Sequence, residues 1–251
     1  MSLRHAAELD GTTELTLRLD RGSNGCMARA LLLVDALFIV LYLLPNLLGH
    51  GTRMFDLDAE SNLPTWYASM KLFVIAQVMV ALAVVLSRRS LLDAIPFLFL
   101  GAVALLLSAD EVATIHERFA RHFESGITGA HRSDLLFSKT GYWMLALAPL
   151  LAAALAAGIW LIRSRLAIPG RIAVKGLVGV AVYFLSATGL EMLSNFATGT
   201  ANLLQVAAEE GGEMMGATIV LWALLDLLAA KLEPARRSAP VAVRDGWTVT
   251  A

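Results

Sequence analysis

Six long apolar segments restrict how this chain can fold more than any other feature of its sequence. They cover residues 30–48, 67–86, 91–109, 142–162, 172–196 and 203–230. The hydrocarbon core of a bilayer is about 30 Å thick, so a helix needs about 20 apolar residues to cross it. Hydrophobic residues make up 57% of the chain and charged residues only 16%, which is too apolar for an ordinary soluble domain. The pattern predicts an all-α polytopic membrane protein, a single bundle of six transmembrane helices.

The two ends of the chain are more polar than the region between them. We expect residues 1–28 to form a polar cytoplasmic tail, residues 29–232 the six-helix transmembrane domain, and residues 233–251 a flexible cytoplasmic tail. The first thirty residues lack a cationic start followed by a short apolar stretch and a cleavage site, so no signal peptide is expected. The first apolar segment should therefore remain as an anchor.

Arginine and lysine residues are concentrated at one end of the predicted bundle. That end has Arg4, Arg18, Arg21, Arg29, Arg88, Arg89, Arg163, Arg165, Arg171, Lys175, Lys231, Arg236, Arg237 and Arg244, and the other end has Arg53, Arg118, Arg121, Arg132 and Lys139. Cytoplasmic loops carry the excess of positive charge. Both termini are thus predicted to be cytoplasmic, in a cell inner (plasma) membrane.

Composition excludes several classes of function. The formal net charge is -1 and the basic residues form no stripe, so a nucleic-acid partner is not expected. Cys26 is the single cysteine, which excludes an intramolecular disulfide and a cage of cysteine ligands. A bound metal would have to be held by oxygen and imidazole ligands.

Acidic residues gather at the end of the bundle opposite to most of the basic ones. Carboxylates in or near hydrocarbon are costly unless they are paired, protonated or bound to a cation, so they indicate a functional site. We predict a site near the outer boundary of the membrane that holds a divalent zinc, iron or manganese ion. The candidate ligands are Glu60, Asp110, Glu111, His116, Glu117, Glu191, Glu209 and Glu213. No catalytic residue is assigned.

Two of these motifs flank the second and third segments. Pro64 fits the first turn of a helix that Asn62 or Ser61 would cap, and Trp66 and Tyr67 fit interfacial anchors. At the end of the third segment, Asp110, Thr114 and Glu117 have the spacing of one helix face. His116 would lie on another face, so it can join Asp110 as a ligand only if the helix unwinds or other helices complete the coordination sphere.

The other two motifs lie in the last two segments. Thr188, Glu191, Asn195 and Thr198 recur at helical spacing, which predicts a polar stripe that faces the bundle interior. Glu209 and Glu210 fit the N-terminus of the last helix, and Glu213 shares a face with Glu209.

Small residues and a second polar set suggest further contacts. Gly212 and Gly216 form a small-residue patch that would let another helix approach, from a homo-oligomer or a partner membrane protein. Asp35, Asp93 and Asp226 lie toward the cytoplasmic ends of their spans, where Arg88, Arg89 or Lys231 would pair with them.

The acidic motifs also carry a resemblance. The stretch from Asp56 to Thr65, the Asp110–Glu111 pair with His116–Glu117, and the stretch from Glu209 to Met214 resemble a group of uncharacterised bacterial multi-pass membrane proteins. The resemblance covers the second to sixth spans, and it implies that the acidic motifs belong together.

Three functions follow from the sequence. The first is a metal site in which redox or hydrolytic chemistry is an option. The second is a small proton- or cation-coupled transporter, with Lys71 as a counter-charge inside the second span. The third is an accessory or assembly subunit of a membrane complex. Whether the protein is an enzyme is left open.

Overall fold

A computed structural model describes residues 21–115, 118 and 143–237, which form long helices and no strand. The helices are α1 Arg21–Leu47, α2 Leu63–Ser87, α3 Leu91–Ala113, α4 Trp143–Arg165, α5 Gly170–Ser194 and α6 Thr200–Arg237. All six are long and apolar enough to cross a membrane. The prediction of an all-α, six-helix integral membrane protein is confirmed. Helix α1 starts within the predicted N-terminal tail, and α6 extends into the predicted C-terminal one.

Helix α6 lies at the centre of the bundle. It packs against α1, α2 and α5, while α3 packs on α2 and α4 packs on α3. The main core lies between α2, α3 and α6, where Leu82 and Phe97 are almost completely buried. Large apolar side chains on the outside, such as Leu33 and Leu91, are exposed, as expected for helices that are solvated by lipid.

The ends of α2 and α3 follow from local side-chain chemistry. The Asn62 Oδ1 atom accepts a hydrogen bond from the Thr65 backbone N–H at 3.1 Å, and Pro64 lies in the first turn, as the sequence predicts. Helix α3 ends at Ala113 because Thr114 adopts a left-handed conformation with φ of 52°. The predicted face that Thr114 would share with Asp110 on α3 is therefore wrong, and Glu117 lies outside the described residues.

Helix α5 contains a wide turn that the sequence pattern does not reveal. Residues Leu185–Leu190 form a π-helical segment between two α-helical parts. The Thr188 hydroxyl donates to the Phe184 carbonyl oxygen at 2.7 Å within this segment. Such π-bulges change which side chains share a face, and they are frequent at functional sites.

An ion pair between Asp35 of α1 and Lys71 of α2 lies inside the bundle. The Lys71 Nζ atom donates to Asp35 Oδ1 and to the Met214 carbonyl oxygen, both at 2.7 Å, and to Thr218 Oγ1 at 3.3 Å. Asp35 is 0% exposed and Lys71 4%. The Tyr67 hydroxyl donates to Asp35 at 2.9 Å. The prediction that a terminal basic residue pairs with Asp35 is thus wrong, and the half-buried Tyr67 joins the network through its hydroxyl.

A second ion pair joins α5 to α6. Lys175 Nζ lies 2.6 Å from Asp226 Oδ2 and 3.6 Å from the centre of the Trp222 ring. The Asn24 side chain of α1 donates to Asp226 at 3.0 Å. The predicted pairing of Asp226 with Lys231 is therefore wrong, because α5 brings Lys175 closer.

Glycines allow α5 and α6 to cross at close range. A Cβ atom on Gly216 would lie 2.5 Å from the Tyr183 backbone nitrogen, and one on Gly179 would lie 2.7 Å from the Val220 nitrogen. A Cβ atom on Gly212 would likewise collide with the side chain of Ser186. The predicted small-residue patch at Gly212 and Gly216 thus serves packing within the chain, and a homo-oligomer or partner protein stays a prediction.

Replacing Asp35 by asparagine is expected to lower the free energy of unfolding by about 3–5 kcal/mol, because Lys71 would keep its buried charge and lose its counter-ion. The double variant Asp35→Leu/Lys71→Met should recover most of that loss, since it removes both charges. Denaturant unfolding of the protein in mild detergent measures both effects. A single variant as stable as the wild type would contradict the structural role of the pair.

The change Gly216→Ala is expected to destabilise the protein by about 1–3 kcal/mol, because the new methyl group would overpack the crossing of α5 and α6. Gly189→Ala is the matched control, since its Cβ would meet nothing within 4 Å. Alanine favours a helix over glycine by up to about 1 kcal/mol, so the control should be neutral or more stable. Thermal unfolding of the two variants side by side tests the difference.

Candidate ligand cavity

A cavity of about 560 Å³ lies between five of the helices, α2 to α6, and is bordered by the loop that precedes α2. Its size falls in the range of small-molecule binding sites, about 300–1,000 Å³. Carboxylates line one end of the cavity. They are Asp58, Glu60, Asp110, Glu111, Glu191, Glu209, Glu210 and Glu213. The structure thus brings together acidic residues from four separate parts of the sequence.

Helix α6 supplies a polar column to the cavity wall. Gln205, Glu209 and Glu213 follow one another at four-residue intervals, and Glu210 lies beside them. The Gln205 amide donates to Glu209 and to the Leu190 carbonyl oxygen of α5. Because α6 begins at Thr200, Glu209 and Glu210 lie in its third turn. The prediction that they open this helix is wrong, and stabilisation by the helix N-terminus does not explain their position.

Helices α5 and α3 place their acids at the same end of the bundle. Thr188 in the wide turn and Glu191 directly after it both line the cavity, as the predicted interior stripe requires. Thr198 is exposed and lies beyond the end of α5, so the stripe does not extend that far. Asp110 and Glu111 reach the cavity from the last turn of α3.

The loop before α2 is held in a fixed shape at the mouth of the cavity. The Asn62 side-chain amide donates to the Ala59 carbonyl oxygen at 2.6 Å, while its oxygen caps α2. Leu57 is buried against Tyr42 and Val206. These contacts bring Asp58 and Glu60 into the cavity lining.

Positive charge is scarce along the described wall. The lining residues between Leu57 and Val220 that the structure describes include no lysine, arginine or histidine. Lys71 lies close by. It borders a gap of about 10 Å³, together with Glu111, Glu210 and Glu213. However, the three N–H groups of Lys71 are already taken by Asp35, Met214 and Thr218. Lys71 is therefore held away from the cavity as the partner of Asp35.

Most of the predicted site residues meet in this cavity. Six of the eight candidate ligands line it, namely Glu60, Asp110, Glu111, Glu191, Glu209 and Glu213. His116 and Glu117 lie outside the described residues. The eight candidate ligands do not include five further residues that line the cavity, namely Asp58, Asn202, Gln205, Glu210 and Tyr183. For Glu210 a signal existed, because it lies three residues before Glu213 and can share its side of a helix.

The described carboxylates do not form a metal centre by themselves. Among the residues with described positions, no three histidine, cysteine, aspartate or glutamate side chains meet as a group that could hold a metal ion. Asp58, Glu60, Asp110, Glu111 and Glu191 each take part in further polar or electrostatic contacts. The acids are distributed around the cavity wall, so the arrangement suits a ligand that touches several of them at once.

The other end of the cavity is apolar. Its walls are formed by the parts of the five helices that lie farther from the acids. These lining residues are Leu72, Ile75, Met79, Leu100, Val103, Ala104, Leu107, Leu151, Leu155, Ile159, Val180, Ala217 and Val220. The cavity therefore joins an acidic end to an apolar end.

Comparison with known proteins gives a family and no activity. A family model described as a domain of unknown function, DUF8692, matches residues 28–229. The matched range includes every described residue of the cavity wall. No curated protein and no solved structure matches the chain.

The double change Glu210→Gln/Glu213→Gln is expected to raise the free energy of unfolding by about 1 kcal/mol at pH 8 and low salt, because like charges repel strongly away from water. Asp93→Asn is the control, since Asp93 lies in the first turn of α3, at the opposite end of that helix from Asp110. It should change stability by less than about 0.5 kcal/mol. Denaturant unfolding in detergent without added divalent ions measures both, and a destabilised double variant would contradict this account.

Proposed function

The chain belongs to the DUF8692 family, and we propose that this integral membrane protein binds a cationic ligand in its acid-lined cavity. The observation that carries the proposal is the set of eight carboxylates around one cavity of about 560 Å³ whose described wall has no basic side chain. Glu210 and Glu213 support it most directly, because they lie on α6 beside a lysine whose donors are used elsewhere. A cation would offset charge that hydrocarbon cannot solvate.

The acidic end of the bundle is proposed to face away from the cytoplasm. Arg88 and Arg89 follow α2, and Lys231 lies near the end of α6, so these residues share the opposite end of the bundle. Positive charge is retained on the cytoplasmic side. The ligand would therefore reach Glu210 and Glu213 from the extracytoplasmic side or from the outer leaflet, in a cell inner membrane.

The distribution of the acids favours an organic or hydrated cation over a bare metal ion. A directly bound metal needs several ligand atoms within about 2–2.6 Å of one point, and the described side chains do not converge in that way. A site for zinc, iron or manganese would need His116 or Glu117 as well. It stays a prediction, as does any redox or hydrolytic chemistry at that site.

Cation transport is a second candidate function. The gap of about 10 Å³ that Lys71 shares with Glu111, Glu210 and Glu213 connects the acidic end to the buried Asp35–Lys71 pair. Ionisable residues inside a membrane often mark an ion or proton path. Transport requires ligand binding first, so the binding experiment comes before an uptake assay in vesicles.

Thermal unfolding of the protein in lipid nanodiscs tests the proposed function. Mn²⁺, Zn²⁺ and butylammonium are added separately, with Na⁺ at matched ionic strength as the reference. At least one of them is expected to stabilise the wild type in a saturable way, by about 2.7 kcal/mol at a hundred times its Kd. The variant Glu210→Gln/Glu213→Gln should lose this stabilisation, and Asp93→Asn should keep it.

Elemental mass spectrometry of the purified protein accompanies the titration. Zinc, iron or manganese that is bound by the wild type and lost in Glu213→Gln/His116→Ala would favour the metal form of the proposal. If none of the three probes stabilises the wild type more than Na⁺ does, and no metal copurifies, the proposed function is wrong.

A further inference from the structure

The polarity of the cavity wall changes along the axis of the bundle. On α3, Asp110 lies at the acidic end and Leu100 at the apolar end, about 15 Å apart at 1.5 Å per residue. On α6, Glu209 and Val220 are separated by about 16 Å on the same basis. The cavity wall thus changes from carboxylate to hydrocarbon over a distance that matches about half of the apolar core of a membrane.

This apolar end belongs to the same cavity as the carboxylates, and Leu72, Ile75 and Met79 in its wall are also part of the main core. Protein interiors contain few voids larger than a water molecule, whereas the whole cavity measures about 560 Å³. Its apolar wall includes side chains from five helices, with Met79, Val103 and Ile159 on three of them. A small hydrated ion would use the carboxylates and leave this part of the cavity without a partner.

Helix α4 is packed loosely on the side that faces α5, within the described residues. It packs on α3, and within the described residues it makes no comparable contact with α5, the next helix in the chain. Leu150 and Trp160 of α4 and Leu185 of α5 are exposed on the outside. The boundary between α4 and α5 is thus the side from which we expect a ligand dissolved in the lipid to enter the cavity.

We infer that the ligand of this cavity is an amphiphilic amine, with a cationic head group at the carboxylates and an apolar chain in the space below them. This inference rests on the proposed function, since it names the class of cation that is bound. A zwitterionic phospholipid fits less well, because its phosphate would lie against eight carboxylates, and the described cavity wall has no lysine, arginine or histidine to bind that phosphate. Like charges at such distances are unfavourable.

The experiment compares octylammonium with butylammonium, using thermal unfolding in nanodiscs and isothermal titration with empty nanodiscs as the blank. Each buried CH₂ group increases affinity about fourfold. Octylammonium is therefore expected to bind the wild type about 100-fold more tightly than butylammonium. This figure allows for part of the alkyl chain remaining exposed. Octanol, which has the same chain and no charge, should bind far more weakly than octylammonium.

Two matched variants test where the alkyl chain of the ligand lies. Val103→Phe adds bulk to the apolar end, since Val103 lines the cavity. Val84→Phe adds the same bulk on the outside of α2, where Val84 is exposed. Val103→Phe should reduce the preference for octylammonium to less than about tenfold while butylammonium still binds. Val84→Phe should keep the full preference.

The possible results separate the two proposals. If butylammonium or Mn²⁺ binds the wild type as tightly as octylammonium, the amphiphile inference fails and the proposed cation site stands. If octanol or a short-chain phosphatidylethanolamine binds as tightly, recognition of a cationic head fails. If no cation binds at all, both proposals fail.

Should Val103→Phe not fold, a photoreactive alkylamine with its reactive group at the end of the alkyl chain replaces this variant. Labelling of Met79 or Leu100 supports the inference, and labelling of the acidic end alone overturns it.

Discussion

Asp35 and Lys71 form an ion pair where neither charge can reach water, and the arrangement of the bundle depends on keeping them together. An isolated charge in hydrocarbon is so costly that α1 and α2 must remain in register. The Met214 carbonyl oxygen and the Thr218 hydroxyl add α6 to the same network. Met214 directly follows Glu213 in the chain, so the network that fixes the central helix also fixes the position of its carboxylates.

The same ion pair explains the charge imbalance of the cavity. Lys71 lies near Glu210 and Glu213, and a lysine in that position would be expected to neutralise one of them. Its donors are instead used by Asp35, Met214 and Thr218. The structure therefore satisfies one buried acid inside the bundle, and the proposed cation would bind at the acidic end of the cavity.

On the side of α4, the cavity borders the most loosely packed part of the described bundle. Lipid tails are as apolar as leucine side chains, so the hydrophobic effect gives little reason for helices to close on one another in a membrane. Close contact needs small residues, as at Gly179 and Gly216 where α5 crosses α6, or polar contacts, as between Ser69 and Ser108 where α2 meets α3. Helix α4 makes neither kind of contact with α5 among the described residues. Space therefore remains on that side, and the proposed amphiphile would occupy it.

The sequence by itself determined the features that depend on local pattern. Apolar segment length predicted six spans, and Asn62 and Pro64 predicted the start of α2. The positions of the acids predicted one common site, and six of its eight candidate ligands line the cavity. Only the tertiary structure decided which residues pair and which side chains face the cavity. Lys175 and not Lys231 reaches Asp226, Leu185–Leu190 form a wide turn within α5, and the early start of α6 at Thr200 places Glu210 on the wall. These outcomes depend on the rotation and neighbours of each helix, and hydropathy carries no information on either.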